Sequence, residues 1–426
     1  MHSGRSSRIS QILFSHPLFS NKEDNALVNL IMQANEGIEK YFLEEEGQEI
    51  LGKIRNTLAE FLDKHTSKNA TIKTSEMRLK SILESLSLVA PEIQPGLGVH
   101  NLLFIAAELL LLNSDTNGSL KLAVIEELEA HLHPQAQLRL ISYLQKEYNN
   151  SGVQVIISTH SAILASKINV KNLILLKNDS SFNLNAEYTG LEKGDYLFLQ
   201  RFLDSTKANL FFAKGIIMVE GDAEALLIPT LAEIIGINLE KYGISVVNVG
   251  GKGFFRYSRI FLRKDGNAIN IPISIITDCD IEPDKKDGKI DQREDETAAA
   301  IVAIQHKYNV GCISAFVAPK WTFEYSVAFS CLRDMLYKSI LQAKKIENSD
   351  QYALTIAKIE EIEKILAQEK AKWSTQELCI TAHHIYHDTM LNKGNPESKT
   401  KATSKAIVAQ CLASNLRWAI TDTASA

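Results

Sequence analysis

Two stretches of this sequence share one plan, and it limits the fold more than anything else in the chain. Residues 215–224 (G-I-I-M-V-E-G-D-A-E) and 271–280 (I-P-I-S-I-I-T-D-C-D) are each an apolar run of strand length that closes on carboxylates. Apolar runs bounded in this way suit strands buried on both faces, as in a parallel sheet. Such a sheet delivers the ends of its strands to one edge, where ligands bind. Glu220, Glu224, Asp278 and Asp280 are then neighbours. Four carboxylates on adjoining strand ends repel one another unless cations sit among them, so the economical expectation is a divalent-metal site.

The residues around these runs support a sheet. Gly221 permits a tight turn from strand into helix, and Glu220 and Glu224, four apart, share one side of that helix start. A second strand is expected at 244–249, followed by the Gly250-Gly251-Lys252-Gly253 loop, and a third at 273–276. Asp278 and Asp280 face the same way if the backbone stays extended. Strands alternating with helices predict a parallel arrangement. Asp222 and the acids of 284–296, Asp284 and Asp287 among them, read as solvated loop carboxylates.

Upstream, residues 20–88 are rich in Glu, Lys, Leu and Ile, with Ile38, Tyr41, Phe42, Ile54, Leu58, Phe61 and Leu62 at helical spacing. They predict amphipathic helices whose charged faces are solvated. Pro95-Gly96-Leu97-Gly98 is a breaker-rich loop before a buried helix at 100–112. Leu122-Ala123-Val124-Ile125 is a short strand running into Glu126-Glu127 and then E-A-H-L-H-P at 129–134. Paired acids there suit a Mg²⁺-associated carboxylate beside a general base that polarises water for attack on phosphate. A further strand at 153–157 ends in Ser158-Thr159-His160-Ser161, where a histidine or hydroxyl can sense a γ-phosphate.

The segment L-A-V-I-E-E-L-E-A-H-L-H-P, a helix, then V-Q-V-I-I-S-T-H-S resembles the Walker B, D-loop and switch-histidine region of ABC-type ATPases of the SMC, RecF and OLD (overcoming lysogenization defect) kind. The resemblance implies that Glu126 is the Mg²⁺-associated acid, Glu127 the catalytic base and His160 the switch histidine. It also implies that Gly98 and Asn101 belong to the surface meeting a partner protomer's nucleotide. The chain departs from the family in having no G-x-x-x-x-G-K-[ST] phosphate loop. ATP is therefore expected to bind only with a P-loop supplied from elsewhere. Either the chain begins inside a longer ATPase domain, or another polypeptide provides that lobe, or the domain no longer hydrolyses ATP.

Downstream, a Glu after the first strand and D-x-D after the third resemble the Toprim domain, and E-G-D-A-E behind an ABC-type half-domain is similar to the OLD nucleases. That group includes the nuclease subunit of the Gabija phage-defence system. Trp321-Thr322-Phe323-Glu324 stands where these nucleases carry a hydroxyl-x-Glu element completing a second metal site. The resemblance implies two Mg²⁺ or Mn²⁺ ions held by Glu220, Glu224, Asp278, Asp280, Thr322 and Glu324, with Asp278 as the bridge. It further implies a lysine before the C-terminal helix that offsets charge in the cleavage transition state. Lys405 fits best, with Lys401 second.

Elsewhere, residues 352–370 predict an amphipathic helix. His383, His384 and His387 lack both the Glu of H-E-x-x-H and an evident third ligand, so they read as a polar helix face. Five cysteines without a C-x-x-C pair disfavour a zinc ribbon and a disulfide framework. The longest apolar run, 102–112, is interrupted by Glu108 and too short to span a bilayer, so a cytoplasmic protein without membrane association is expected. A net charge of -5 carries no basic signature, leaving local lysines to meet any nucleic acid.

The expected fold is α/β: a partial ABC-type ATPase domain with a helical arm, then a Rossmann-like Toprim domain with C-terminal helices. Expected boundaries are 1–90 for an arm or dimerisation region, 91–190 for the ATPase half, and 210–426 for the Toprim domain with a helical insertion at about 346–390. The expected activity is metal-dependent nicking or cleavage of DNA, in phage defence or DNA repair. Expected partners are DNA, a second copy or higher homo-oligomer, and a helicase-like protein. The alternative is a non-catalytic RecF/SMC-like repair ATPase or scaffold, which leaves the clustered acids without purpose. A topoisomerase lacks its DNA-gate module here, and a primase its zinc module.

Overall fold

The computed structural model describes residues 8–19, 25–44, 46–61, 68–72, 78–86, 96–114, 120–286, 288–349, 353–394 and 401–424. Leu62, Pro95 and Asp287, named above, and the first residue of the range 352–370 lie outside them. The chain divides into two compact units, Met1–His160 and Ser161–Ala426. The sequence reading draws its boundaries instead at 90, 190 and 210.

The first unit holds helices α1 (Arg8–Ser15), α2 (Ala26–Glu44), α3 (Gln48–Leu58), α4 (Leu79–Ser85) and α5 (Leu97–Ser114), then strand β1 (Leu122–Ile125), helix α6 (Pro134–Ser151) and strand β2 (Gln154–Ile157). Helix α6 starts where Pro134 fills its first turn and the His133 side chain accepts from the Ala136 N–H, and it stops at Gly152 in the left-handed region. The two strands pair in parallel, Leu122 opposite Gln154 through Ile125 opposite Ile157. Leu51, Leu83, Leu109, Leu128 and Leu144 are buried. The apolar positions expected to pack along the arm are mostly in solvent, Ile38 and Ile54 each at 40% exposure and Phe61 at 78%.

The second unit begins with α7 (Ala162–Lys167) and the antiparallel pair β3 (Ile174–Lys177) and β4 (Ser180–Asn183). Residues 195–209, which fall between the expected boundaries at 190 and 210, are folded. They form much of α8 (Lys193–Phe202), whose capping-box residue Asp195 is buried and receives Arg259 at 3.1 Å, and a 3-10 turn at Lys207–Phe211. A buried carboxylate held by a guanidinium is an anchor, which a linker lacks.

The sheet that organises this unit has the order β10-β7-β5-β6, built from β5 (Gly215–Val219), β6 (Ile244–Asn248), β7 (Ile273–Thr277) and β10 (Ile313–Val317). All of its pairings are parallel. Between the strands run α9 (Asp222–Ile234), α10 (Phe254–Ser258), a small exposed hairpin of β8 (Asp284–Lys286) and β9 (Lys289–Asp291), and α11 (Glu294–Tyr308). Ile216, Met218, Val247, Ile273, Ile275, Ile313 and Ala315 are the sheet's contribution to one core. The chain places β6 on one side of β5 and then crosses to the other side for β7. In a doubly wound sheet that reversal opens a crevice beyond the carboxyl ends of the two strands concerned. Here those ends are Glu220 and Asp278.

A second core is helical: α12 (Phe323–Ala328), α13 (Arg333–Glu347), α14 (Ile356–Trp373), α15 (Leu378–His383), a π-helical turn at His384–Met390, and α16 (Lys405–Ala424). Leu227 of α9, Tyr325, Ile340, Trp373, Ile385 and Leu412 meet there. Residues 346–390 thus contribute buried side chains to the same core as α9 and α16. No described helix is long and apolar enough to cross a membrane.

Candidate functional site

The crevice beyond β5 and β7 is an open cleft of about 350 Å³ whose lining includes Glu220, Asp222, Glu224, Asp278, Gly251 and Lys405. Its floor is set by backbone. Past the end of the strands, the Ala318 N–H donates to the Thr277 carbonyl at 2.8 Å and the Asp280 N–H to the Trp321 carbonyl at 2.9 Å. The Phe323 N–H, in the first turn of α12, donates to Asp278 Oδ1 at 2.7 Å. These three bonds tie the two loops together and bring Glu324 beside Asp278.

On the other side, Glu220 Oε1 accepts from the Thr277 hydroxyl and from the Asp278 N–H at 3.3 Å. Gly221 has extended backbone, φ -150°, and a Cβ there would stand 3.3 Å from Glu224 Oε2, an approach that carboxylate would have to ease slightly. The Gly251 N–H donates to the Glu220 carbonyl at 2.8 Å, and Gly250 and Gly251 both have positive φ, at 72° and 111°. That turn lays the Gly250–Gly253 loop over the strand end.

Burial and crowding decide the charges. Burial, with Glu324 and Glu220 nearby, pushes the Asp278 carboxyl up to about 7, against the opposing pull of Lys405 and the Phe323 N–H. Burial likewise raises Glu224, with Glu324 and Glu220 adding to it. Glu324 is 3% exposed; its Oε2 accepts from Lys405 Nζ at 2.9 Å, while its Oε1 is buried with no hydrogen-bond partner among the described residues. Burial works against the Lys405 charge, but Glu324, Tyr386 and Asp278 around it win and hold its ammonium above the usual lysine range.

Glu220, Glu224, Asp278, Glu324 and Lys405 are thus brought together, and Lys401 is not, for the Lys401 carbonyl is fastened to Asn392 before α16 begins. The condition for Asp278 and Asp280 to face the same way is not met: strand β7 ends at Thr277 and Asp280 has φ 58°, so the backbone is not extended there, and the Asp280 side chain pairs with Lys252. The Thr322 hydroxyl caps α12 by accepting from the Tyr325 N–H at 3.2 Å.

Sequence reasoning missed two groups here. Asp222, set aside as a solvated acid, lines the cleft and accepts from Asn248 at 2.7 Å. Lys252, named from sequence only as a member of the Gly250–Gly253 loop, is the cation paired with Asp280; that bond, and the charges of Asp280, Glu220 and Asp278, hold its ammonium above the ordinary value. The signal available for both was position: loops after adjacent parallel strands converge on one edge.

In the first unit, the residues at the ends of β1 and β2 are bound to each other. The Ser158 N–H donates to the Ile125 carbonyl at 3.0 Å and the Glu127 N–H to Ser158 Oγ at 3.2 Å. Glu129, not singled out from sequence, accepts from the Thr159 hydroxyl at 2.7 Å and the His160 N–H at 2.6 Å. Burial pushes its carboxyl up, and these bonds together bring it below the usual range. Glu126, Glu127 and His160 are exposed. Gly98 is fixed by a close approach, because a Cβ would collide with the His131 carbonyl, and Asn101 Nδ2 donates to the Ala130 carbonyl at 3.3 Å.

Residues 211–280 match the family model for the Toprim domain of overcoming-lysogenization-defect-like proteins, and residues 14–165 match that of an AAA ATPase domain. The chain is 32% identical to endonuclease GajA of Bacillus cereus over 229 residues, covering 47% of this chain and 32% of the relative. It is 31% identical to the Old nuclease of Escherichia phage P2 over 223 residues, covering 50% and 37%. To the OLD nuclease of Thermus scotoductus it is 29% identical over 180 residues, covering 41% and 32%. The matches therefore span about a third of the length of these curated relatives.

Proposed function

Because the chain carries an OLD-like Toprim domain behind an AAA-type ATPase region, we propose that it is a metal-dependent endonuclease that nicks or cleaves DNA through the carboxylate cleft. One observation carries this reading. Among the described residues, Asp278, Glu224 and Glu324 are buried side by side with a single lysine among them, and Glu324 Oε1 lacks a partner. Buried carboxylates in excess of their cations are costly unless a cation joins them. An all-oxygen donor set of this kind fits Mg²⁺ or Mn²⁺.

Glu220, Glu224, Asp278 and Glu324 would hold the ions, with Asp222 and Asp280 at the margin. Bound there, two such ions supply an attacking water of lowered pKa and offset charge on the leaving oxygen. The residues of the chain do the rest. Phe323 N–H and Thr277 orient Asp278 and Glu220, so that neither carboxylate must reorganise when the phosphodiester arrives. Lys405, at the start of α16, keeps its proton throughout the working pH range and faces the phosphate as a fixed cation. Lys252 offers a second positive group on the rim. In the first unit, Glu126, Glu127 and His160 would handle ATP once a P-loop meets them, and a second copy of the chain is the expected partner.

The test is supercoiled plasmid incubated with the protein and Mn²⁺ or Mg²⁺, beside Asp278→Asn and Glu220→Gln variants. Nicking by the wild type that both substitutions abolish is the expected result. Equal nicking by all three overturns the metal assignment, and no nicking under any condition favours the scaffold reading.

A further inference from the structure

His383, His387 and Asp388 lie together on the helical side of the second unit, and each offers a ligand atom within 4.8 Å of the other two. The expectation of an exposed polar helix face fails for His383, which is 3% exposed. The two imidazoles lie 4.4 Å apart between centroids with planes 30° from parallel. The third group is Asp388, whose Oδ1 is hydrogen-bonded to His387 Nδ1 at 2.8 Å and lies 3.8 Å from His383 Nδ1.

The backbone explains how an adjacent residue joins an i, i+4 histidine pair. In an α-helix residue i+5 sits about 140° round from residue i. At His384–Met390 the chain is π-helical, and bonds run i to i+5, as in the Leu391 N–H to the Tyr386 carbonyl at 2.9 Å. That wider turn carries Asp388 back over His383. Single π turns cost hydrogen-bond geometry and concentrate at functional sites.

We propose that His383, His387 and Asp388 form a second metal site, for one divalent transition-metal ion of the Zn²⁺ class, separate from the carboxylate cleft. The 3.8 Å gap between His383 Nδ1 and Asp388 Oδ1 is too long for a hydrogen bond and is spanned by two metal bonds of about 2.1 Å at an open angle. Two nitrogens and one oxygen select Zn²⁺ over Mg²⁺, which takes oxygen and water. Lys285, 3.9 Å from Asp388, and His384, 3.7 Å from its other oxygen, compete for the same carboxylate, as Glu282 does for His387 at 4.0 Å. The ion's place is structural: the His387 ring lies 6.3 Å from that of Trp321, the residue before Thr322, so a bound ion fastens the π turn behind the cleft.

The experiment strips the full chain with chelator, then equilibrates it with Zn²⁺ alone or Co²⁺ alone and counts retained ions. Wild type, Asp278→Asn, His387→Asn and Asp388→Asn are compared, with circular dichroism as the fold control. Asp278→Asn is expected to keep one Zn²⁺ and to show the visible absorption of nitrogen-ligated Co²⁺. His387→Asn and Asp388→Asn are expected to bind it at least about 100-fold more weakly. Should His387→Asn fail to fold, Asp388→Asn, which keeps the side-chain shape, gives the same readout. Equal Zn²⁺ retention in the two π-turn variants, or none in Asp278→Asn, overturns the proposal. Because Asp278→Asn already disables the cleft, this outcome is independent of whether DNA is cut.

Discussion

The chain has two places where a parallel strand ends in acids, and they meet opposite surroundings. Among the described residues, the sheet at β1 and β2 has two strands, Val124 and Ile156 are 64% and 58% exposed, and Glu126 and Glu127 stand in solvent. At β5 and β7 the strands are the interior of a four-stranded sheet, and Glu224 and Asp278 fall to 6% and 9% exposure. The same local grammar therefore yields hydrated acids in one unit and desolvated, mutually repelling ones in the other. A carboxylate's chemistry is set by the layers around its strand more than by the residues beside it.

The sharpest way to break this contrast is Asp278→Asn. Loss of a buried ligand is expected to lower the rate of plasmid nicking by more than about 100-fold, since removal of mere outer partners already costs 10–100-fold. Next is Lys405→Ala, which leaves the buried Glu324 without its cation. The Lys405 side chain is 44% exposed, so solvent moderates the penalty, and a loss of about 2 kcal/mol in urea unfolding is expected.

The third test uses pH. Asp278 titrates near 7 when folded against about 4 when unfolded, so the unfolded chain sheds this proton first. Its contribution to metal-free stability is fully present below pH 4 and is lost as the pH rises to 7, at no more than about 1.4 kcal/mol per pH unit. Mg²⁺ binds the deprotonated carboxylate, so the melting-temperature gain it confers should be larger at pH 8 than at pH 6, and Asp278→Asn should flatten that difference. The smallest effect is expected at the exposed end: Glu127→Gln should shift unfolding by less than about 0.5 kcal/mol. A larger loss would mean that the two strand ends are more alike than their exposure indicates.

Much of this was legible in the residues. Apolar runs ending at Val219 and Thr277 marked the strands, and the acids following them marked the edge. Three things were not. The turn at Asp280 depends on φ 58°, which a D-x-D string does not encode. Lys252 reaches Asp280 only because two successive glycines fold the loop after β6 over β5. Asp388 joins the histidines through a π turn, a departure from the helical period that pattern reading assumes. Each is a backbone irregularity, and periodicity has no term for those.

The pairing of β1 with β2 alone, among the described residues, has a consequence in time rather than space. A two-stranded sheet has no central strand to protect, and such pairs are marginal by themselves. Local openings of low free energy let solvent reach backbone amides long before global unfolding. In deuterated water, residues 122–125 and 154–157 should exchange their amide hydrogens ahead of those in β5 and β7. Any polypeptide or nucleotide that binds across these strands would then register as a slowing of that exchange.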